Sequence, residues 1–540
     1  VAQRGPVAND SSSNIIKNTS LITLATLTSR VTGLVRTWAM AFALGNTVLA
    51  SAYNIAYNMP AMIYELAATG ILATAFLPLY LLQKEKNGDS GAQTFASNIL
   101  TLTTIVLGLL ALACSIFSAQ VIETQTFAGG DPAAKEMAIF FFRVFAVQIL
   151  LYGLGAVITG ILNAERSYLA PSLAPVLNNL VVIVTMFGYV PLSSWNPSFA
   201  MWWLAVGTSL GVLVQFGAQI PALIKRGVRL RAYVNLRDPM LVEALKVAAP
   251  MFLYVAGTMI TFSCKNAFAL QATPNGPSTL NYAWMWYQLP YGVIAVSLGT
   301  TLLTELSDCA ARDDWPGFRR FVSSGLRNTF FLMIPLAAMV CSLAFPLMQM
   351  FQAGAFSAED TQSVGIILMF WTLSLPFYAG YMYMYRVFAA MRKFVQFALV
   401  DFALRFVQVF FYWYLCSGPV GLVGIPVTDF FFYGVMFVVC SLIVRSKVGS
   451  YGNKRIASMF VKTLVASIIA GVVVFFASQG VLAAFPLGGA AAIFEAVAIV
   501  CVCGILGLVI AFGLCKVLRV PEYQLLGSIL GKLKSKLLHR

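Results

Sequence analysis

Four charged side chains stand where a charge is expensive. Arg30, Arg36, Glu65 and Lys265 each interrupt a long apolar run. In a hydrocarbon layer a charge costs at least about 2.5–3.5 kcal/mol on insertion scales, which makes each one a candidate for function. Arg30 and Arg36 are six residues apart, roughly 600° of helix and so about 120° off a shared face. Both can line one broad cavity, but they cannot stack. Lys265 lies near the middle of its run, where reaching an interface is hardest. Three cations and one anion make surroundings that attract an anionic headgroup, and a guanidinium suits bidentate phosphate contact.

A second set is open to two readings. Asp401 and Arg405 are four apart, so they share a helix face and can pair structurally. Together with Asp429 they can also serve an ion-binding or gating role. Pro60, Pro290 and Pro376, the last near Gly380, interrupt three apolar runs. Proline frees carbonyls and kinks helices, which transporters use as hinges; packing alone is the other reading.

The residue inventory removes other chemistries. The single histidine is His539, beside the end of the sequence. That removes almost every mechanism needing an imidazole, and with it a Ser–His–Asp set. The nine cysteines form no CxxC pair, and they read as small apolar side chains. A zinc site or disulfide framework is not expected. No GxxxxGK[ST] loop occurs, so the chain carries no ATP motor of that type. No cofactor and no metal is expected.

The elements that must position these charges are membrane helices. Of 540 residues, 59% are hydrophobic and 10% charged, where soluble proteins carry about 25%. Runs of about 20 apolar residues fit bilayer spans. Fourteen occur, near 17–44, 49–82, 94–121, 137–162, 167–191, 199–224, 240–272, 279–307, 327–351, 361–390, 394–416, 421–444, 458–482 and 489–515. The first is too long for a cleaved signal and contains two arginines. Residues 1–16 read as a disordered tail, and 517–540 as a basic tail. With both termini in the cytoplasm, 28 of the 35 lysines and arginines fall in cytoplasmic segments, against Lys135 alone in the opposite loops. This positive-inside asymmetry accounts for the net charge of +15 without nucleic acid, because basic loops face anionic lipid headgroups. The expected class is an all-α integral membrane protein with about fourteen spans. No segment between them is long enough for a soluble catalytic domain.

Several stretches resemble one family. TSRVTGLVRTWAMAFALGN at 28–46 is similar to the first helix of the MurJ (MviN) lipid II flippases, through Ser29, Arg30, Gly33 and Arg36. YNMPAMIYELAATGILATAFLPLY at 57–80 resembles their second helix, and GILNAERSYLAPSLAPVLNN at 160–179 their fourth-to-fifth junction. GVIAVSLGTTLLTELS at 292–307, MFQAGAFSAED at 350–360 and YRVFAAMRKF at 385–394 are similar to later segments. The resemblance implies a MOP-type, V-shaped bundle of two six-helix lobes (17–227 and 228–446), with two further helices at 447–516 as a groove for a lipid tail. It implies a cationic cavity with arginines on helices one, two and eight. Here the second-helix position holds Glu65, its acidic partner position holds Ser51, and the eighth-helix position falls at Met285. Sodium-ligand positions of some relatives hold Arg405 and Val409.

The resemblance implies a non-enzymatic flippase of a bacterial plasma (inner) membrane. It would translocate undecaprenyl-diphosphate-linked peptidoglycan precursor, lipid II, by alternating access. The substrate contacts would be Ser29, Arg30, Arg36, Glu65 and Lys265. Membrane lipids and cell-wall synthesis proteins are the expected partners. Three rivals remain at this point: a flippase for another undecaprenyl-linked glycan, a cation-coupled multidrug exporter of the same superfold, and a non-transporting membrane scaffold.

Overall fold

The computed structural model describes residues 10–69, 76–237, 239–484, 490–524 and 526–527, and among these no strand occurs. Contacts divide the chain into two units. One holds residues 1–44 and 48–259; the other holds 45–47 and 260–540. This division falls inside a helix, at 259/260, where the sequence reading set its lobe boundary at 227/228, and the last two helices fall in the second unit.

The first unit contains α1 (Asp10–Leu44), α2 (Val48–Thr69), α3 (Phe76–Ile116), α4 (Ser118–Thr126), α5 (Pro132–Phe145), α6 (Val147–Ala164), α7 (Leu169–Trp195), α8 (Pro197–Gly217) and α9 (Ile220–Lys225). α1 begins at Asp10, so residues 10–16 extend that helix rather than the tail. α3 contains Lys84 and Lys86, which the sequence placed between two spans. Its bend falls at Gly88, whose φ of 67° is left-handed, a region glycine enters without a Cβ clash.

Local starts follow capping chemistry. Asp131 and Asn196 accept a backbone N–H at the heads of α5 and α8, each with proline in the first turn. Packing then relies on small residues, as expected where lipid tails supply no hydrophobic drive between helices. A Cβ on Gly207 would lie 2.4 Å from Thr185 Oγ1, and one on Gly211 2.4 Å from Asn178 Oδ1, so α7 and α8 approach almost to backbone contact. The Trp203 indole donates to the Thr185 carbonyl across the same seam. Between α3 and α6, Phe76, Tyr80, Phe95, Ile161 and Leu162 form an apolar core. At its edge Glu165 accepts from Tyr80 and Lys84. An extended strap follows α9. Its backbone N–H groups at Arg229, Arg231, Tyr233 and Asn235 donate in turn to Gln93, Ser97, Thr101 and Asn98 on α3.

α10 (Pro239–Ala272) carries the division between the units. The second unit continues with α11 (Gly276–Pro290), a π-helical turn Tyr291–Ala295, α12 (Val296–Ala311), α13 (Trp315–Ser342), α14 (Ala344–Gln349), α15 (Ala358–Thr372), α16 (Leu375–Ala390), α17 (Phe394–Cys416), α18 (Gly424–Val448), α19 (Asn453–Ala484) and α20 (Ala490–Val517). In the AFSAED stretch Ser357 and Asp360 form a reciprocal capping box that starts α15. α19 and α20 pack on α13 through Gly471 and Gly507, where a Cβ would meet Ser342 Oγ at 2.9 Å and Met339 Sδ at 2.2 Å.

Among the described residues, nine helical spans are long and apolar enough to cross a bilayer. They become ten if α15 and α16, bent by 51° at their junction, count as one. α1 and α2 are not among them, because they carry the polar residues under discussion: Arg30 and Arg36 in one, Asn54, Asn58 and Glu65 in the other. The remaining expected stretches, in α10 and in the α11–α12 pair, are helical as well.

The three expected hinges differ. Pro60 sits within α2, which runs unbroken from Val48 to Thr69. Pro290 ends α11 and is followed at once by the π-helical turn; its missing N–H removes an i→i−4 bond where the register changes. Pro376 occupies the first turn of α16, just past the bend, where proline lacks no needed donor. Gly380 is packed between the Phe330 and Phe437 rings.

Candidate functional site

In the first unit Arg36 is the organised cation. Its guanidinium donates to the Tyr57 hydroxyl at 2.7 Å and lies 5.4 Å from the centroid of that ring. Tyr57 stacks on Tyr53, with centroids 5.7 Å apart. Tyr53 is fully buried, hydrogen-bonded to Thr208 and met edge-on by Phe141 and Phe145. A rigid aromatic shelf from α2, backed by α5 and α8, therefore fixes one arginine of α1. Arg36 is half-buried, and its other N–H groups meet no partner among the described residues. That leaves them available to a ligand anion, and the guanidinium fork presents such donors in pairs.

Arg30 is exposed and has no hydrogen bond or ion pair among the described residues, consistent with its lying off the Arg36 face. Ser29 is half-buried; its carbonyl accepts from Asn179 Nδ2, which also donates to Thr32 at 3.0 Å. Asn179 thus ties α7 to the turn of α1 that carries both Ser29 and Arg30. Glu65 is exposed and forms no ion pair with either arginine.

The second unit holds a different arrangement. The Lys265 ammonium lies 5.3 Å from the Phe262 ring centroid and 5.2 Å from those of Trp284 and Trp371. Three faces make an aromatic cage for a cation. The same Trp371 donates its indole N–H to Asp429 Oδ2 at 2.8 Å. Asp429 Oδ1 accepts from Gln408 Nε2 at 2.8 Å and from the Tyr412 hydroxyl. The carboxylate is thereby committed to three donors and forms no ion pair with Lys265. Asp401 and Arg405 pair through two contacts, 2.6 and 3.3 Å, as their spacing allows. Tyr381 also donates to Asp401, and Arg405 lies over the Phe432 ring. Both members are buried, so the pair is built into the packing. Among the described residues no cluster of three or more His, Cys, Asp or Glu side chains can hold a metal ion. The aromatic residues of α11 include interior ones: Tyr282 and Tyr287 are fully buried, and Trp284 stacks with Tyr287.

Sequence reasoning missed the partners. Tyr57, Asn179, Trp371, Gln408 and Tyr412 come from helices that only the fold brings together. One signal was available: residues 401, 405, 408 and 412 are polar at i, i+4, i+7 and i+11, a single stripe along α17.

The family model described as "Lipid II flippase MurJ" matches residues 40–494. The chain belongs to that family. Among curated MurJ relatives, "Probable lipid II flippase MurJ" of Rhizobium meliloti (strain 1021) is 30% identical over 67% of this chain and 68% of its own. The protein of the same name from a Synechocystis strain is 29% identical over 71% and 72%. Among solved structures, a lipid II flippase MurJ in an inward closed conformation superposes with a TM-score of 0.71 at 22% identity, covering 92% of this chain and 99% of that one. An inward-facing MATE multidrug transporter of the MOP superfamily gives 0.61 at 18% identity, covering 80% and 95%. MurJ therefore supplies the family, and MOP transporters share the fold.

Proposed function

We propose that this chain is a flippase that carries lipid II from the cytoplasmic to the outer leaflet of a bacterial inner membrane by alternating access. The observation that carries the reading is Arg36, held by Tyr57 and its shelf with donors left over. A fixed guanidinium loses less entropy on meeting a phosphate than a free one. Arg36 takes one phosphate of the diphosphate linkage, and Arg30, on a neighbouring face of α1, takes the other. Ser29 orients that turn through the Asn179 tie, and Glu65 leaves the local field less cationic than two arginines alone would make it. Lys265 is the second unit's own cation for the headgroup. Its aromatic cage holds it without neutralising it.

The chain crosses the membrane fourteen times, with both termini in the cytoplasm. Support for this comes from the distribution of lysine and arginine and from the helical state of the described expected spans. The lipid tail stays in the bilayer or along α19 and α20. The Asp401–Arg405 and Asp429 networks are the gating elements, and the Pro290 and Pro376 breaks are the hinges. No metal and no cofactor takes part.

The test is rescue of bacteria depleted of their own lipid II flippase. Wild-type chain rescues growth; Arg36→Ala and Arg30→Ala, present in the membrane at equal amount, do not. Rescue by both arginine variants would overturn the assignment of the site.

A further inference from the structure

A cavity of about 390 Å³ opens within the first unit, between α2, α6 and α8. Its polar lining comes from Tyr64, Tyr152, Thr159, Asn163, Gln215 and Gln219, and no lining residue is charged. The Tyr64 and Tyr152 rings lie 6.1 Å apart at 39° and present two aromatic surfaces to the space. Part of the polar lining is committed to protein: Thr159 donates to Gln219 at 2.8 Å, and Gln215 Oε1 accepts from Asn178 at 2.8 Å. The rest is not. The Gln215 amide N–H₂, the Asn163 side-chain amide and both tyrosine hydroxyls have no partner among the described residues. Such a wall offers several donors and acceptors with no net charge. It is the wrong wall for a phosphate and a suitable one for a neutral polyhydroxyl ring, whose C–H faces lie against aromatics while its hydroxyls meet amides. The volume is within the range of single-ligand pockets, enough for one such ring with its substituents.

Tyr64 lies seven residues beyond Tyr57 on α2, two turns along the same face and so about 10 Å from the residue that holds Arg36. α6, which carries Tyr152, packs directly on α2, which carries Tyr57 and Tyr64. The cavity is therefore next to the proposed phosphate anchor. In a glycosyl-diphosphate lipid the first sugar is bonded directly to the diphosphate. A group held at Arg36 places that sugar here.

We infer that this cavity is a carbohydrate subsite, which takes the sugar ring adjoining the diphosphate. The inference rests on the reading of Arg36 as the phosphate anchor, and the experiment separates the two. Gly155 is on the cavity wall, and a Cβ there would meet nothing closer than Gln219 Nε2 at 3.9 Å. Gly155→Leu therefore fills the space without a clash against backbone. Asn163→Ala removes an amide that holds up no other group.

Binding of two lipids to the purified full chain is measured: undecaprenyl diphosphate, and undecaprenyl diphosphate bearing one N-acetylhexosamine. The wild type prefers the sugar-bearing lipid by about tenfold, the effect of two or three net hydrogen bonds. Gly155→Leu abolishes the preference and leaves affinity for the bare lipid unchanged; Asn163→Ala lowers the preference. Arg36→Ala weakens both lipids, which tests the anchor alone. No preference in the wild type, a preference that survives Gly155→Leu, or a Gly155→Leu chain that also loses the bare lipid would each overturn the carbohydrate subsite. Undiminished binding of bare lipid by Arg36→Ala would overturn the anchor instead.

Discussion

Arg36 and Tyr57 show how one side chain is given a direction. The hydroxyl accepts a guanidinium N–H while the ring, stacked on buried Tyr53, keeps the pair from turning. Arg36→Lys retains the charge but loses the planar fork, so transport falls by about tenfold or more while membrane expression holds. Tyr57→Phe removes one hydrogen bond worth about 1 kcal/mol and keeps the shelf, so the loss is several-fold and smaller than for Arg36→Lys. Transport of labelled lipid into proteoliposomes ranks the three chains; equal rates would contradict the role of the fork. Lys265→Ala tests the second cation in the same assay, and full activity would remove Lys265 from the site. The Asp401–Arg405 pair obeys a different arithmetic. Asp401→Ala strands a buried guanidinium, at a cost of about 3–5 kcal/mol, and the detergent-solubilised protein melts at lower temperature. Asp401→Leu combined with Arg405→Met recovers most of that stability. That double variant regains stability without regaining transport, and transport at the wild-type rate would contradict the gating role.

At the scale of helices, the close seams carry the packing. Gly211→Leu would drive a side chain into Asn178 and Val182, separating α7 from α8. Overpacking of this kind costs about 1–3 kcal/mol or more, read as a lower melting temperature; an unchanged melting temperature would contradict the seam. This scale also shows what was legible in the sequence. The apolar stretches appear as helices because twenty apolar residues with satisfied backbone have few alternatives in lipid. The Asp401–Arg405 contact was legible because i,i+4 spacing is a local fact. The π-helical turn after Pro290 was half legible: proline predicts an interruption but not its form. The Asp429 cluster was not legible, because Trp371 on α15 and Gln408 and Tyr412 on α17 reach it from other helices. Nor was the 10–16 extension of α1, whose serine-rich composition looks like a tail.

For the whole molecule, the sidedness of lysine and arginine is the signal for orientation, and the membrane potential acts on what moves. A carrier whose empty site bears uncompensated arginines is drawn toward the cytoplasm by an interior-negative potential, at about 2.3 kcal/mol per charge per 100 mV. Collapsing the potential across proteoliposomes therefore slows repeated turnover, and Arg30→Gln makes the rate less dependent on potential. The family fixes the fold and the membrane setting, while Glu65 and Met285 stand at positions where the resemblance implied arginines.

The most direct test of the central claim is a single transport measurement. Purified chain is reconstituted into proteoliposomes with labelled lipid II in one leaflet, and arrival in the other leaflet is followed for the wild type and for Arg36→Ala. The account predicts rapid exchange with the wild type and a rate near that of protein-free vesicles with Arg36→Ala. Equal exchange by both chains would contradict it.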